Sequence, residues 1–283
     1  MDFSKIKIVA DSSADMVSWG EKEQEITALS VPLKIITSQK EYVDDENLDV
    51  DIMVDELKAY SGRSSSSCPN PSDYLVAFGE AQYIFCITIT SGLSGSYNSA
   101  CIAKEEYEDQ HPERKVCVID SLSAGPELKL LVEKLIELIK KDKEFYEVCE
   151  AISEYQKRTE LLFMLESMKN LANNGRVSPF VAKLAGILGI RVIGKASDVG
   201  TLEQLEKPRG ESRALPAIFK QMRSFGYKGG KVRIAHCRNI NAANELKKLI
   251  KCEYKGADIE IYSCRALCSF YAELGGMLVG FEK

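Results

Sequence analysis

Histidine is nearly absent from this chain: His111 and His236 are the only two. A Ser-His-Asp triad or a histidine-rich metal centre needs that residue in supportive company, and neither copy has it. His111 falls in the polar stretch Asp109-Gln110-His111-Pro112-Glu113, which reads as a solvated turn, and His236 closes the apolar run Val232-Arg233-Ile234-Ala235. Long hydrophobic runs are missing as well, so no segment reaches the ~20 apolar residues of a membrane-spanning helix. The run Ile6-Lys7-Ile8-Val9-Ala10 is too short for a signal peptide and stops at Asp11, so a cytoplasmic location is expected. No lysine and arginine block stands beside interleaved aromatics and the formal charge is −5, which removes nucleic acid from the expected partners. Cysteine is plentiful at nine, but the spacings do not build a metal site. Cys264 and Cys268 have a plausible ligand spacing, yet no second pair completes it, while Cys86, Cys117 and Cys237 lie in apolar runs as small hydrophobes. No metal and no cofactor is expected.

What is present is strand and helix in alternation. Strands are expected at Ile6–Ala10, Tyr83–Thr90 and Lys115–Ile119, with one extended stretch over Ile26–Ile36. Helices are expected at Val50–Tyr60, Pro71–Glu80, Ser94–Tyr107, Leu122–Lys141 and Phe145–Lys157. That order implies an α/β domain around a parallel sheet over residues 1–157. Beyond it, residues 158–283 read as a second α/β domain with a mixed sheet. Its expected parts are a strand at Leu161–Leu165, short helices at Glu166–Ala172 and Phe180–Ile187, and a hairpin of Ile190–Lys195 with Thr201–Leu205. They continue with helices Glu211–Phe225 and Asn241–Lys251, strands Lys231–Ala235 and Ala257–Tyr262, and a last strand within Gly275–Phe281.

The most informative stretch is Ile87-Thr88-Ile89-Thr90-Ser91-Gly92-Leu93-Ser94-Gly95-Ser96-Tyr97, where a buried strand breaks into small hydroxyl and glycine residues before a helix. Such a loop collects free backbone N–H groups, a positive helix end and several hydroxyls, and suits a phosphate or a carboxylate. It lacks the Lys-Ser/Thr of a P-loop and does not complete a Gly-x-Ser-x-Gly elbow. A second hydroxyl-rich segment, Ser61-Gly62-Arg63-Ser64-Ser65-Ser66-Ser67-Cys68-Pro69-Asn70-Pro71, reads either as a flexible linker or as an ordered loop facing the first.

Five segments, in order and over essentially the whole length, resemble the DegV family of bacterial fatty-acid-binding proteins. They are Ile8-Val9-Ala10-Asp11-Ser12-Ser13-Ala14-Asp15, Ser66-Ser67-Cys68-Pro69, Ser91-Gly92-Leu93-Ser94-Gly95-Ser96-Tyr97, Leu171 through Asn174-Gly175-Arg176-Val177-Ser178, and Lys207-Pro208-Arg209-Gly210. The chain departs from the family near its end. Where many members carry a His-Thr-Gly-Pro-Gly-like loop, it reads Ala272-Glu273-Leu274-Gly275-Gly276-Met277, so that Ala272 or Glu273 replaces the histidine.

The resemblance implies a non-catalytic carrier: a long-chain fatty acid held between the two domains and presented to a separate ATP-binding kinase subunit that forms an acyl phosphate. The expected ligand contacts are Ser66, Ser67, Ser91, Gly92, Ser94, Arg176 and Glu273, with Arg209 meeting the partner. Between Ser91 and Ser94 as the direct donor the sequence does not choose, and a local helix-cap role competes at Ser94. A carboxylate at Glu273 would oppose the ligand's own unless it points away or is protonated. For the tail, candidate walls are Leu161-Leu162-Phe163-Met164-Leu165 and Phe180, Val181, Leu184, Ile187 and Leu188, each equally readable as plain core. About fifteen methylenes at ~0.8 kcal/mol each give on the order of 12 kcal/mol gross, so the tail supplies most of the affinity and the serines set orientation. Transient contact with a membrane surface fits such a carrier. Two other readings stay open: a serine hydrolase or phosphate-handling enzyme using the Ser91–Ser94 loop, and a degenerate member with a regulatory or interaction role.

Overall fold

The structure, a computed structural model, describes residues 5–16, 26–178 and 189–283. In chain order its elements are β1 (Ile6–Asp11), β2 (Thr27–Val31), β3 (Lys34–Ile36), β4 (Glu41–Val43), α1 (Val50–Ala59), β5 (Ser65–Ser67), α2 (Pro71–Phe78), β6 (Tyr83–Thr88), α3 (Ser96–Gln110), β7 (Lys115–Asp120), α4 (Pro126–Ile139) and α5 (Phe145–Gln156). They continue with β8 (Thr159–Leu165), α6 (Lys169–Asn173), β9 (Val192–Ala196), β10 (Leu202–Glu206), α7 (Glu211–Ser224), β11 (Val232–His236), α8 (Ile240–Glu253), β12 (Ile259–Ser263), α9 (Ala266–Ala272) and β13 (Met277–Glu282). The helix expected at Phe180–Ile187 lies outside the described residues. No helix among the described residues is long and apolar enough to cross a membrane.

The first half holds the expected parallel sheet, four strands in the order β2-β1-β6-β7. The second half holds a mixed sheet of six, β10-β9-β8-β13-β11-β12, in which only β11 and β12 run parallel. A third sheet, β4-β3-β5, is small and antiparallel, and nothing in the hydrophobic pattern announced it. It splits the single extended run expected over Ile26–Ile36: after Val31 the chain leaves the parallel sheet, and Lys34–Ile36 pairs with Ser65–Ser67. Pro32, at the break, has no N–H to give to a ladder.

Helix α4 joins the halves. Leu128, Leu131, Leu135 and Leu138 face the β1–β6 sheet, while its first turn lies against β13. A Cβ on Gly280 would come within 2.7 Å of the Pro126 and Glu127 backbone, so this approach needs glycine. The small sheet and α1 pack across the seam: Ile35, Tyr42, Met53 and Val54 share one buried cluster with Phe163, Leu165 and Phe270.

Candidate functional site

At that seam lies a cavity of about 280 Å3, near the lower end of the roughly 300–1,000 Å3 typical of small-molecule sites. Its lining is mostly apolar. Leu33, Ile89, Leu93 and Ala124 come from the first half. Leu161, Phe163 and Leu165 of β8, Leu171 of α6, Leu202 of β10, Leu267, Cys268 and Ala272 of α9 and Leu278 of β13 come from the second. Strand parity divides the apolar run in β8. Successive side chains face opposite ways, so Leu161, Phe163 and Leu165 line the cavity, while Leu162 and Met164 are buried with α7 and α8.

One stretch of wall is polar. Ser66, Ser67 and Cys68 of the β5 segment stand beside Ser94 and Gly95 of the β6–α3 loop, with Arg176 and Tyr271 completing the set. The Ser66 and Tyr271 hydroxyls are 2.6 Å apart. Arg176 donates from Nε to the Leu93 carbonyl at 3.0 Å and from Nη1 to the Asn174 carbonyl, and its guanidinium carbon lies 6.0 Å from the Tyr271 ring centre. No carboxylate pairs with Arg176 among the described residues. A cation tied only to neutral carbonyls keeps most of its attraction for an incoming anion.

The serine loop owes its shape to Asp11. This carboxylate is fully buried, and its Oδ2 accepts the Ile89 N–H at 2.8 Å and the Ser96 hydroxyl at 2.6 Å. Its Oδ1 accepts from the backbone and side chain of Ser13. Burial pushes the Asp11 carboxyl above its ordinary range, against the pull of these four donors. Tyr74, from α2, meets Ser96 from the other side at 2.7 Å. Helix α3 therefore starts at Ser96, and Ser94 both lines the cavity and accepts the Ser96 N–H at 3.3 Å. Cap and cavity roles coexist at Ser94, because accepting that bond leaves its own proton free.

Helix α9 carries four lining residues, and carboxylates from the first half hold its N-terminus. Asp44 accepts the N–H groups of Ala266 and Leu267, and Asp15 Oδ1 accepts that of Arg265 at 2.8 Å. Arg265 pairs with Asp44 at 3.4 Å and donates to the Asp45 carbonyl. Burial raises both carboxyls, Asp15 to about 7 with the neighbouring Asp44 adding to the rise.

Other expected site residues lie elsewhere. Ser91 and Gly92 are exposed and do not line the cavity. The Ser91 N–H goes to Asp120 at 3.1 Å, and a Cβ on Gly92 would meet the Val199 and Gly200 carbonyls of the β9–β10 turn at 3.0–3.1 Å. Gly92 thus permits a close approach of two loops. Glu273 ends α9 in a left-handed conformation, φ 55°, and its carboxylate turns to the Asn170 N–H at 3.0 Å, outside the cavity. Its neighbour Ala272 faces the cavity instead, so no carboxylate opposes an anion there. Arg209 is exposed and bridges Ile190 by its backbone. The candidate walls Phe180, Val181, Leu184, Ile187 and Leu188 fall outside the described residues. Reading the sequence missed Tyr271 and the carboxylate docking of α9, whose partners are over 200 residues apart.

Neither histidine serves the serines. His111 stacks edge-on against Tyr107 beyond the C-terminal end of α3, about 22 Å of helix from the serine loop. His236, its pKa lowered by burial, accepts the Asn239 N–H at 3.3 Å. Among the described residues no group of three His, Cys, Asp or Glu is placed to hold a metal.

Residues 5–283 match the family described as "Uncharacterised protein, DegV family". A DegV domain-containing protein of Streptococcus pneumoniae is 46% identical over 276 residues, 98% of either chain. The crystal structure of the Streptococcus pneumoniae Fatty Acid Kinase (Fak) B3 protein loaded with linoleic acid has a TM-score of 0.96 at 45% identity, covering 98% of this chain and 99% of that one. A DegV family protein from Eubacterium eligens loaded with heptadecanoic acid follows at TM-score 0.93 and 42% identity, with the same coverage. On sequence and on fold alike, the chain belongs to the DegV family.

Proposed function

We propose that this protein binds a long-chain fatty acid, with the tail in the apolar cavity and the carboxylate on Ser66, Ser67, Ser94 and Arg176, and hands it to a separate kinase. The observation that carries the reading is the distribution of polarity in one cavity: apolar walls, and a stretch of hydroxyls beside a guanidinium that has no carboxylate partner among the described residues. That pattern complements an amphipathic anion. It does not fit a phosphate ester of a sugar, whose hydroxyls would face leucine. The two relatives crystallised with fatty acids support the same ligand class.

Presentation to a kinase rests on the likeness to the Fatty Acid Kinase B3 protein. Phosphoryl transfer to a carboxylate needs an ATP site, and the chain's glycine loop lacks the P-loop lysine. The protein then acts as the substrate-holding partner, with the division near residue 157 separating a serine-bearing domain from the one supplying most of the tail's walls. Exposed Arg209 is a candidate contact for the kinase.

Mass spectrometry of organic extracts tests the binding step, with the Ser66→Ala/Ser94→Ala variant alongside. A near-stoichiometric fatty acid that the variant loses is the expected result. A wild-type protein that is empty and takes up no added fatty acid would overturn the reading.

A further inference from the structure

Tyr271 joins the polar wall from α9, in the second half of the chain. Its hydroxyl lies 2.6 Å from Ser66 Oγ, and both residues line the space. Each partner is fixed from behind. Ser66 sits in β5, opposite Ile35, and Tyr271 rides on α9, whose N-terminus is held by Asp44 and Asp15. The ring also offers its face to Arg176 at 6.0 Å.

Two hydroxyls so joined own two protons and spend one on the bond between them. One proton is left over. Without the phenol, the Ser66 hydroxyl would rotate among three staggered positions and point at a ligand only part of the time. With the phenol donating, the Ser66 oxygen is satisfied as an acceptor and its proton turns into the cavity, polarised by the bond behind it. Donors to an ionised group are about twice as strong as neutral ones, so this order matters most when the ligand is an anion.

We infer that Tyr271 is a positioning residue of the head-group site: by bonding Ser66 it aims a hydroxyl proton at the ligand and makes the cavity discriminate a free carboxylate from a neutral head group. This inference rests on the proposed fatty-acid reading and adds to it a determinant of head-group charge. The same wall without an aimed donor would accept an ester nearly as well, since the tail supplies most of the contact.

The test measures affinity for palmitate and for methyl palmitate by displacement of a fluorescent fatty acid. Wild type, Tyr271→Phe, Ser66→Ala and the double variant are compared. Phenylalanine keeps the ring, the cavity wall and the face presented to Arg176. Tyr271→Phe is expected to weaken palmitate about five- to tenfold and the ester less than twofold. In the Ser66→Ala background the same change costs palmitate nothing further. Equal losses for acid and ester, or losses that multiply in the double variant, would overturn the inference while the binding function stands. A wild type that binds neither probe overturns the function itself. If Tyr271→Phe does not fold, Ser66→Ala alone must narrow the acid-to-ester ratio by the same factor, and an unchanged ratio refutes the pairing.

Discussion

Asp44 caps a helix that begins 222 residues later: its Oδ2 accepts the Leu267 N–H at 3.0 Å and its Oδ1 the Ala266 N–H at 3.1 Å. The carboxylate is 1% exposed and also faces Arg265. Asp44→Ala leaves two buried N–H groups without acceptors and a guanidinium without its carboxylate. The expected cost is roughly 3–5 kcal/mol in urea denaturation, with Asp44→Asn losing about half as much because one oxygen remains. A loss under about 0.5 kcal/mol for Asp44→Ala would show that water or a shifted neighbour replaces the cap.

That cap explains what could and could not be read from the chain. The parallel sheet was legible because β1, β6 and β7 are short apolar runs spaced by helices, and each pairs in the expected sense. The hairpin expected of Ile190–Lys195 with Thr201–Leu205 forms as the antiparallel pair β9 and β10. Helix α9 was not legible. Ala266–Phe270 and Ala272 are all buried, so the helix shows no polar stripe to mark its period, and its capping groups come from Asp44 and Asp15 rather than from a neighbour. The polar wall was half legible for the same reason. Ser66 and Ser94 stand in hydroxyl-rich segments that advertise themselves, whereas Tyr271 acquires its place only through a contact across 205 residues. Glu273 drew attention by its charge, yet the left-handed turn at the end of α9 carries it away from the cavity.

Asp15 sets a pH dependence. Its carboxyl is pushed up from 3.8 to about 7, chiefly by burial, so the folded state prefers the neutral form. Below about pH 4 both folded and unfolded states are protonated and the full stability is present. As pH rises towards 7 the unfolded chain ionises first, and stability falls by at most about 1.4 kcal/mol per unit. Asp15→Asn, which keeps the acceptor for Arg265, removes this loss. Denaturation at pH 4.5 and 7.5 should show the variant gaining on wild type at the higher pH. Glu127, also raised to about 7 by burial, leaves a shared slope in both proteins. Parallel curves for the two proteins would refute the assignment to Asp15.

The serine loop offers a direct contrast. Ser94 lines the cavity, whereas Ser91 is exposed with its N–H committed to Asp120. Fatty-acid affinity, read by fluorescent displacement, should drop about fivefold in Ser94→Ala and stay within twofold in Ser91→Ala. The reverse order would place the carboxylate on the outer side of the loop.

Strand β8 separates ligand binding from stability within five residues. Leu162 is fully buried with α7 and α8, so Leu162→Ala creates a cavity in packed core and should cost 2–5 kcal/mol by the usual large-to-small scale. Once folded, that variant has intact walls around the ligand and should bind fatty acid as wild type does. Leu165 is buried in the seam cluster and also lines the cavity, so Leu165→Phe pushes added atoms into the space where the tail belongs. It should cost about 1–3 kcal/mol of stability, and unlike Leu162→Ala it should weaken an 18-carbon acid tenfold or more, since each displaced methylene is worth ~0.8 kcal/mol. Urea denaturation and displacement titration on the same preparations read both quantities. If Leu162→Ala lost affinity and Leu165→Phe kept it, the tail would lie on the opposite face of β8, and the cavity at the seam would be core rather than site.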